Sequence, residues 1–371
     1  IAGTTGPYGP WGVTGLKAAT MAVDEINAQG GVNGSAIEMV VADNKSTAEG
    51  SIIAWKRVVD VENSTVVVGV ESDGGLALLD EAASAQIPII CPACGASKLA
   101  ELGGDYVFRI TGGDNDLGVI MAQNALESTK TVAILTQLGF DATEGITDVF
   151  IKAFEKGGGT VAEDIRFAGE AASFRGEIQK AIGAADTIVV ATMLDVGTRL
   201  FTEVSRRNYD AKFYVIPELV VDEIAGLGGG ALEGKVFGVS PSYDYSDPAF
   251  QRFHKAFVDR AGYEPTAGMY EANYYDQIIL VALAAEAGGA NDGVTVRNNL
   301  VNVANAPGTR VTTFEEGVAE LRKGNDIEFH GASGTIDFND KGNVASIYGV
   351  VSPKDGSWVE VQSVQLDASL R

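Results

Sequence analysis

Few side chains in this sequence can do covalent chemistry. There are two histidines, His254 in FQRFHKAF and His330 in EFHGASG, and two cysteines, Cys91 and Cys94, in a single CPAC. Two histidines far apart in the chain exclude a His-rich metal site, and any Ser-His-Asp arrangement would rest on one of them. One CxxC excludes both a disulfide framework and a four-cysteine zinc site. It reads as the neutral end of a strand, because the aromatic and acidic context of a redox pair is missing. Neither a GxSxG elbow, a GxxxxGK[ST] phosphate loop nor HExxH occurs. The one GxGxxA match, residues 226–231, follows the end of a helix rather than a strand. No helix start is therefore aimed at a pyrophosphate there, and it reads as a glycine-rich loop. No catalytic residue, metal or cofactor is expected.

The remaining polar candidates lie just after strand-like runs, where open α/β sheets place ligands. They are residues 4–12 (TTGPYGPWG), 71–75 (ESDGG) and 92–97 (PACGAS), then 138–141 (LGFD), 193–195 (MLD) and Glu218. Each alone fits a turn or a helix cap. Six at equivalent positions point to a binding surface.

The elements that must hold these loops are legible in the apolar pattern. Strand-like runs cover residues 37–43, 65–71, 87–92, 106–111, 131–137, 187–192, 212–217 and 235–240. Most are continuously apolar, as parallel strands buried on both faces are. Helical spacing separates them: Leu16, Ala19, Val23 and Ile26 share one face before Gly30-Gly31, and Leu76, Leu79 and Ala83 repeat the pattern. The predicted fold class is α/β with parallel sheets. The series breaks at residues 112–116 (GGDND), resumes to about Ser240, and gives way to helices over 248–261 and 266–287. Such a helical block must bury its apolar face, so it packs back on the first lobe. Short antiparallel strands are expected at 334–338, 347–351 and 358–361.

With 371 residues, the chain has room for two domains of roughly 150 residues each. Lys and Arg number 27 against 50 acidic residues, a net charge of −23. A surface of that sign repels nucleic acid and anionic lipid, so neither is expected as a partner. No run approaches the ~20 apolar residues of a spanning helix. Ile1-Ala2-Gly3 reads like the tail of a first strand, with a cleaved leader or disordered residues expected upstream.

Several segments together resemble the leucine/isoleucine/valine-binding branch of the periplasmic solute-binding proteins that serve ATP-driven importers. They are GPYGPWG, AVDEINAQGGVNG, VVVGVESDGG, IPIICPACGASKLAE and YVFRITGGDND, then GGGTVAEDIRF, VIPEL, ANYYDQIILVALAAEAG and FHGASGTIDFNDKGN. The resemblance runs in order over essentially the whole chain. It implies a type I fold, two Rossmann-like lobes with parallel sheets joined by three hinge crossovers. The expected lobes are 1–112 with 243–330, and 113–242 with 331–371. It implies a non-enzymatic, periplasmic or extracellular protein, made with a signal peptide, that acts as a monomer. Its partners would be a small-molecule ligand and the membrane permease of an ABC importer.

Carried onto this sequence, the family's cleft aromatic falls on Trp11. Its carboxylate-binding hydroxyl and amides fall on Ser72, Asp73 and Gly74, and the next pair on Ala93 and Gly95. In the second lobe the contacts fall on Phe140 or Asp141, on Met193, and on Glu218 as the ammonium-binding carboxylate. Two departures bear on the ligand. Gly95 replaces a family Thr, with Ser97 two residues on, and Asp73 sets a negative charge where a small hydroxyl is common. An α-amino acid is the first expectation. A cationic or neutral polar solute would suit Asp73, Asp141, Asp195 and Glu218, while Phe140 and Met193 offer an apolar side. The alternative is a ligand-sensing receptor of the same fold, binding an amide, betaine, polyamine or aromatic acid.

Overall fold

The computed structural model describes residues 1–370 apart from 208 and 365. Its chain separates into two compact units, Ile1–Gly113 with Tyr243–Ser346, and Asp114–Ser242 with Ile347–Arg371. The chain thus passes between them three times. Strands β1 (Val67–Val68), β2 (Ile89–Cys91) and β3 (Val107–Arg109) belong to the first unit. Strands β4 (Thr131–Gln137), β5 (Thr160–Phe167), β6 (Thr187–Ala191), β7 (Lys212–Val215) and β8 (Val236–Ser242) belong to the second. The chain then returns to the first unit with β9 (Thr309–Val311), β10 (Ile327–Gly331) and β11 (Gly334–Thr335), and ends in the second with β12 (Ile347–Lys354) and β13 (Ser357–Val364).

In the second unit the sheet order is β13-β12-β8-β7-β6-β4-β5, parallel from β8 to β5 and antiparallel at β12 and β13. Chain order therefore reverses at β4: one neighbour, β5, follows it directly, and the other, β6, comes after the reversal. The first unit repeats the plan in shorter form. β1, β2 and β3 are parallel, and Ile1-Ala2 lies between β1 and the segment ending at Asp43, through the Ile1 amine to Val68 O at 2.9 Å and a parallel bridge from Ala2 to Asp43.

The helices 9–28 and 271–288 form the centre of the first unit. Ala18, Ala22 and Ile26 of one helix and Tyr274, Leu280 and Leu283 of the other are almost fully buried in one cluster with Phe253 and Phe257. Gly15 permits their close approach, since a Cβ there would lie 2.6 Å from the Tyr274 ring. The returning helix Pro248–Ala261 starts on a built cap, Asp247 accepting the Ala249 amide at 2.7 Å with proline in the first turn.

The structure departs from the sequence reading in four places. Among the described residues, the run 37–43 makes only the bridge from Asp43 to Ala2. β5 was not expected from the sequence; it is an edge strand whose residues alternate between exposed and half-buried for most of its length. The third crossing lies at 346/347 rather than 330/331. Residues just past 330 are held in the first unit: β10 pairs with β9 and β11, and the Asp276 carboxylate accepts the amides of Ala332 at 2.9 Å and Ser333 at 2.6 Å. Ile336, Phe338 and Val344 continue that core, with Phe338 edge-on to Phe108 at 5.4 Å. Of the expected C-terminal strands, only those at β12 and β13 run their full length.

Candidate functional site

In a doubly wound sheet, ligands bind beyond the carboxyl ends of the strands where chain order reverses. Each unit places a buried polar side chain across that point. In the second unit Gln137 ends β4, and its Oε1 accepts the Met193 amide, just after β6, at 2.8 Å. In the first unit Glu71 follows β1; one of its oxygens accepts the Gly3 amide and the other accepts Asn44 Nδ2 at 2.8 Å. Burial pushes the Glu71 carboxyl above its ordinary range, opposed by these donors.

Around Glu71 the first unit assembles the loops singled out in the sequence. Ser72 opens the helix Ser72–Ala77 and is buried, and its Oγ accepts the Ala96 amide at 3.1 Å. That bond ties the loop after β1 to the loop after β2. Asp73 is half-buried, and Tyr8 Oη donates to its Oδ2 at 3.4 Å. Gly74 has no room for a side chain, since a Cβ would lie 2.6 Å from Val70 Cγ1. Ala93 bridges to Glu71, and the Gly95 carbonyl accepts Arg109 Nη1 at 2.9 Å. Trp11 is 3% exposed, and its Nε1 donates to the Gly268 carbonyl at 2.7 Å, so the indole is engaged in packing within the first unit. Cys91 and Cys94 are joined in a disulfide beneath Gly75, and no free cysteine remains.

In the second unit, Phe140 is the half-buried residue that caps the helix Asp141–Lys156, and Asp141 is its half-buried first residue. Thr143 Oγ1 donates to the carbonyls of Gln137 at 2.6 Å and Phe140 at 3.0 Å, fixing this loop on the end of β4. Met193 is fully buried. Asp195 is exposed and paired with Arg199 at 3.2 Å, which turns it to a surface role. Glu218 sits on the single turn Pro217–Leu219 after β7. The residue is half-buried overall, yet its Oε2 is sealed and has no hydrogen-bond partner. Burial pushes its carboxyl up to about 7. A buried carboxylate oxygen without a donor is costly unless something supplies one. Thr192 Oγ1, on the neighbouring strand end, is likewise sealed and unpartnered.

Arg109, Gln137 and Thr192 were not singled out in the sequence. Each had a signal, a polar residue closing an otherwise apolar run: VFR, TVAILTQ and TIVVAT. The histidines serve local pairing, His254 with Glu264, and His330 Nε2 with Asp247 Oδ2 at 2.8 Å. The glycine-rich run 226–231 is a turn with positive φ at Gly228, Gly229 and Gly230. Among the described residues no three His, Cys, Asp or Glu side chains gather as a metal site.

Two α/β units carry polar loops at their strand ends, and the similar proteins named next are solute-binding proteins, not enzymes. Residues 1–343 match the family model described as periplasmic binding protein, and the chain belongs to that family, with its type I fold. Among curated relatives, the leucine-, isoleucine-, valine-, threonine- and alanine-binding protein of Pseudomonas aeruginosa is 26% identical over 326 residues, covering 85% of this chain and 82% of that one. Among solved structures, the leucine binding protein LivK of Thermotoga maritima is similar with a TM-score of 0.84 at 22% identity, covering 98% of this chain and 97% of that one. The solute binding protein of an ABC transporter from R. palustris, in complex with benzoate, has a TM-score of 0.81 at 18% identity, covering 99% and 96%.

Proposed function

We propose that this protein is the extracytoplasmic solute-binding component of an ABC importer and captures a small α-amino acid. The observation that carries the ligand class is Glu218 Oε2, a sealed carboxylate oxygen without a donor at the carboxyl edge of a parallel strand. An α-ammonium supplies the missing donor. In the first unit, the Ser72 hydroxyl and the amides of 72–74 and 95 offer donors suited to the solute's carboxylate, with the helix Ser72–Ala77 starting there. Phe140, which is half-buried, supplies apolar surface for a side chain. In this reading binding favours the form of the protein that the permease recognises. Only a solute with higher affinity for that form shifts the population.

The relative from Pseudomonas aeruginosa, named for five aliphatic and small amino acids, supports this class. The benzoate complex favours an aromatic acid as a second reading. That reading leaves Glu218 without a donor unless the carboxyl is itself protonated. The test is a thermal-shift panel of amino acids, benzoate, betaine and polyamines on the full chain. A true ligand at 100 times its Kd adds about 2.7 kcal/mol of stability. Stabilisation by leucine, isoleucine, valine, threonine or alanine supports the proposal, and stabilisation by benzoate alone replaces it with the second reading.

A further inference from the structure

Arg109 ends β3 with a side chain that is almost fully buried, and its Nη1 faces three successive carbonyls. They are those of Cys94 at 3.4 Å, Gly95 at 2.9 Å and Ala96 at 3.1 Å. In a trans peptide, a carbonyl and the following N–H point to opposite sides of the bond. Drawing these carbonyls toward one guanidinium therefore turns the N–H groups of Gly95, Ala96 and Ser97 away from it. One of those directions is fixed by a visible bond, the Ala96 amide donating to Ser72 Oγ at 3.1 Å. The preceding Gly95 amide donates to no protein acceptor among the described residues.

The surroundings are shaped to house the guanidinium. A Cβ at Gly113 would lie 2.5 Å from Arg109 Nη2 and 3.0 Å from Cζ, so a side chain there would push the guanidinium aside. A planar cation with several donors can hold neighbouring carbonyls together, whereas an ammonium is a compact point charge.

We propose that Arg109 is a positioning residue for solute recognition. By gathering the carbonyls of 94–96 it presents the Gly95 amide, beside the Ser72 hydroxyl, to the carboxylate of the solute. Arg109 itself does not touch the ligand. This inference rests on the amino-acid reading above for the identity of the anion, but its structural half can be tested without any ligand.

The test compares wild type with Arg109→Met and Arg109→Lys. Hydrogen exchange is followed by mass spectrometry on the peptide covering 92–99 in ligand-free protein. Calorimetry then measures L-leucine and leucinol, which keeps the ammonium and side chain but lacks the carboxylate. The expected result is exchange at least tenfold faster in 92–99 for Arg109→Met. Affinity for L-leucine should fall at least tenfold while that for leucinol changes less than twofold, with Arg109→Lys intermediate. Unchanged exchange, or equal losses for the two ligands, would overturn the proposal. If wild type binds neither compound, the amino-acid reading fails and the exchange result alone decides whether Arg109 sets the loop. If Arg109→Met does not fold, Arg109→Lys carries both comparisons.

Discussion

Gln137 Oε1 lies 2.8 Å from the Met193 amide it accepts, and this bond spans the place where chain order reverses in the second sheet. It couples two loops that the backbone ladder leaves apart, since the pairing of β4 with β6 stops at Thr136 and Ala191. Gln137 is 5% exposed. Methionine at this site fills a similar volume but leaves the Met193 amide without its acceptor. Gln137→Met should cost about 1–3 kcal/mol, the penalty of a buried unsatisfied donor. The urea midpoint measures it, and a midpoint equal to wild type would show that the amide finds another acceptor.

Carboxyls raised by burial make stability depend on pH, Glu71 among them. Burial raises Glu271 to about 8, Glu218 to about 7 and Asp276 to about 6. A carboxyl raised on folding favours the protonated folded state. Its contribution is full below its unfolded value and is lost as pH rises through its folded value. From these groups, stability should fall between about pH 4 and pH 8. Glu271, 1% exposed with the Thr266 amide at 3.3 Å, should contribute most of the loss above pH 7. In Glu271→Gln the difference between urea midpoints at pH 5 and pH 8 should shrink. A difference as large as that of wild type would remove Glu271 from the account.

The disulfide sits under the start of the helix Ser72–Ala77, where a Cβ on Gly75 would meet Cys94 Sγ at 3.1 Å and Cys91 Sγ at 3.2 Å. It closes a very short loop, so its effect on the unfolded chain is small. Replacing both cysteines by serine should cost about 2 kcal/mol and change affinity less than threefold. Thiol titration of the unfolded, unreduced protein should find no reactive thiol. Two reactive thiols before reduction would contradict the pairing.

The parallel core was readable because its strands are continuous apolar runs: β4 begins and ends at the residues expected from TVAILTQ. β5 was hidden by TVAEDIRF, where an edge strand shows solvent one face and the apolar signal thins out. Residues 37–43 show the reverse error. IEMVVAD carries a strand's composition, but a strand also needs a partner, and only Asp43 is bridged to one. At the candidate site, Glu218 was legible as a carboxylate placed just past a strand. That its Oε2 would be sealed without a donor was not, because burial depends on residues distant in sequence. Trp11 shows the same limit: an aromatic in a glycine-rich loop suits a ligand, yet the Gly268 carbonyl, far along the chain, takes its N–H.

Glu218 gives the ligand a pH signature. A solute ammonium requires the ionised carboxylate, so binding at neutral pH must release the proton that burial retains on part of the population. Affinity for an amino acid should therefore rise from pH 6 to pH 8, whereas affinity for an aromatic acid should fall over the same range. Glu218→Gln should weaken amino-acid binding roughly ten- to a hundredfold, the loss of a charge-assisted hydrogen bond of about 1.5–3 kcal/mol.

Isothermal titration calorimetry of the full chain with L-leucine, L-isoleucine, L-valine, L-threonine and L-alanine at pH 6 and pH 8, for wild type and Glu218→Gln, tests the central claim most directly. The account predicts that at least one of these amino acids binds wild type, more tightly at pH 8, and that Glu218→Gln lowers its affinity at least tenfold and flattens the pH dependence. Binding of none of them, or wild-type affinity in Glu218→Gln, would contradict it.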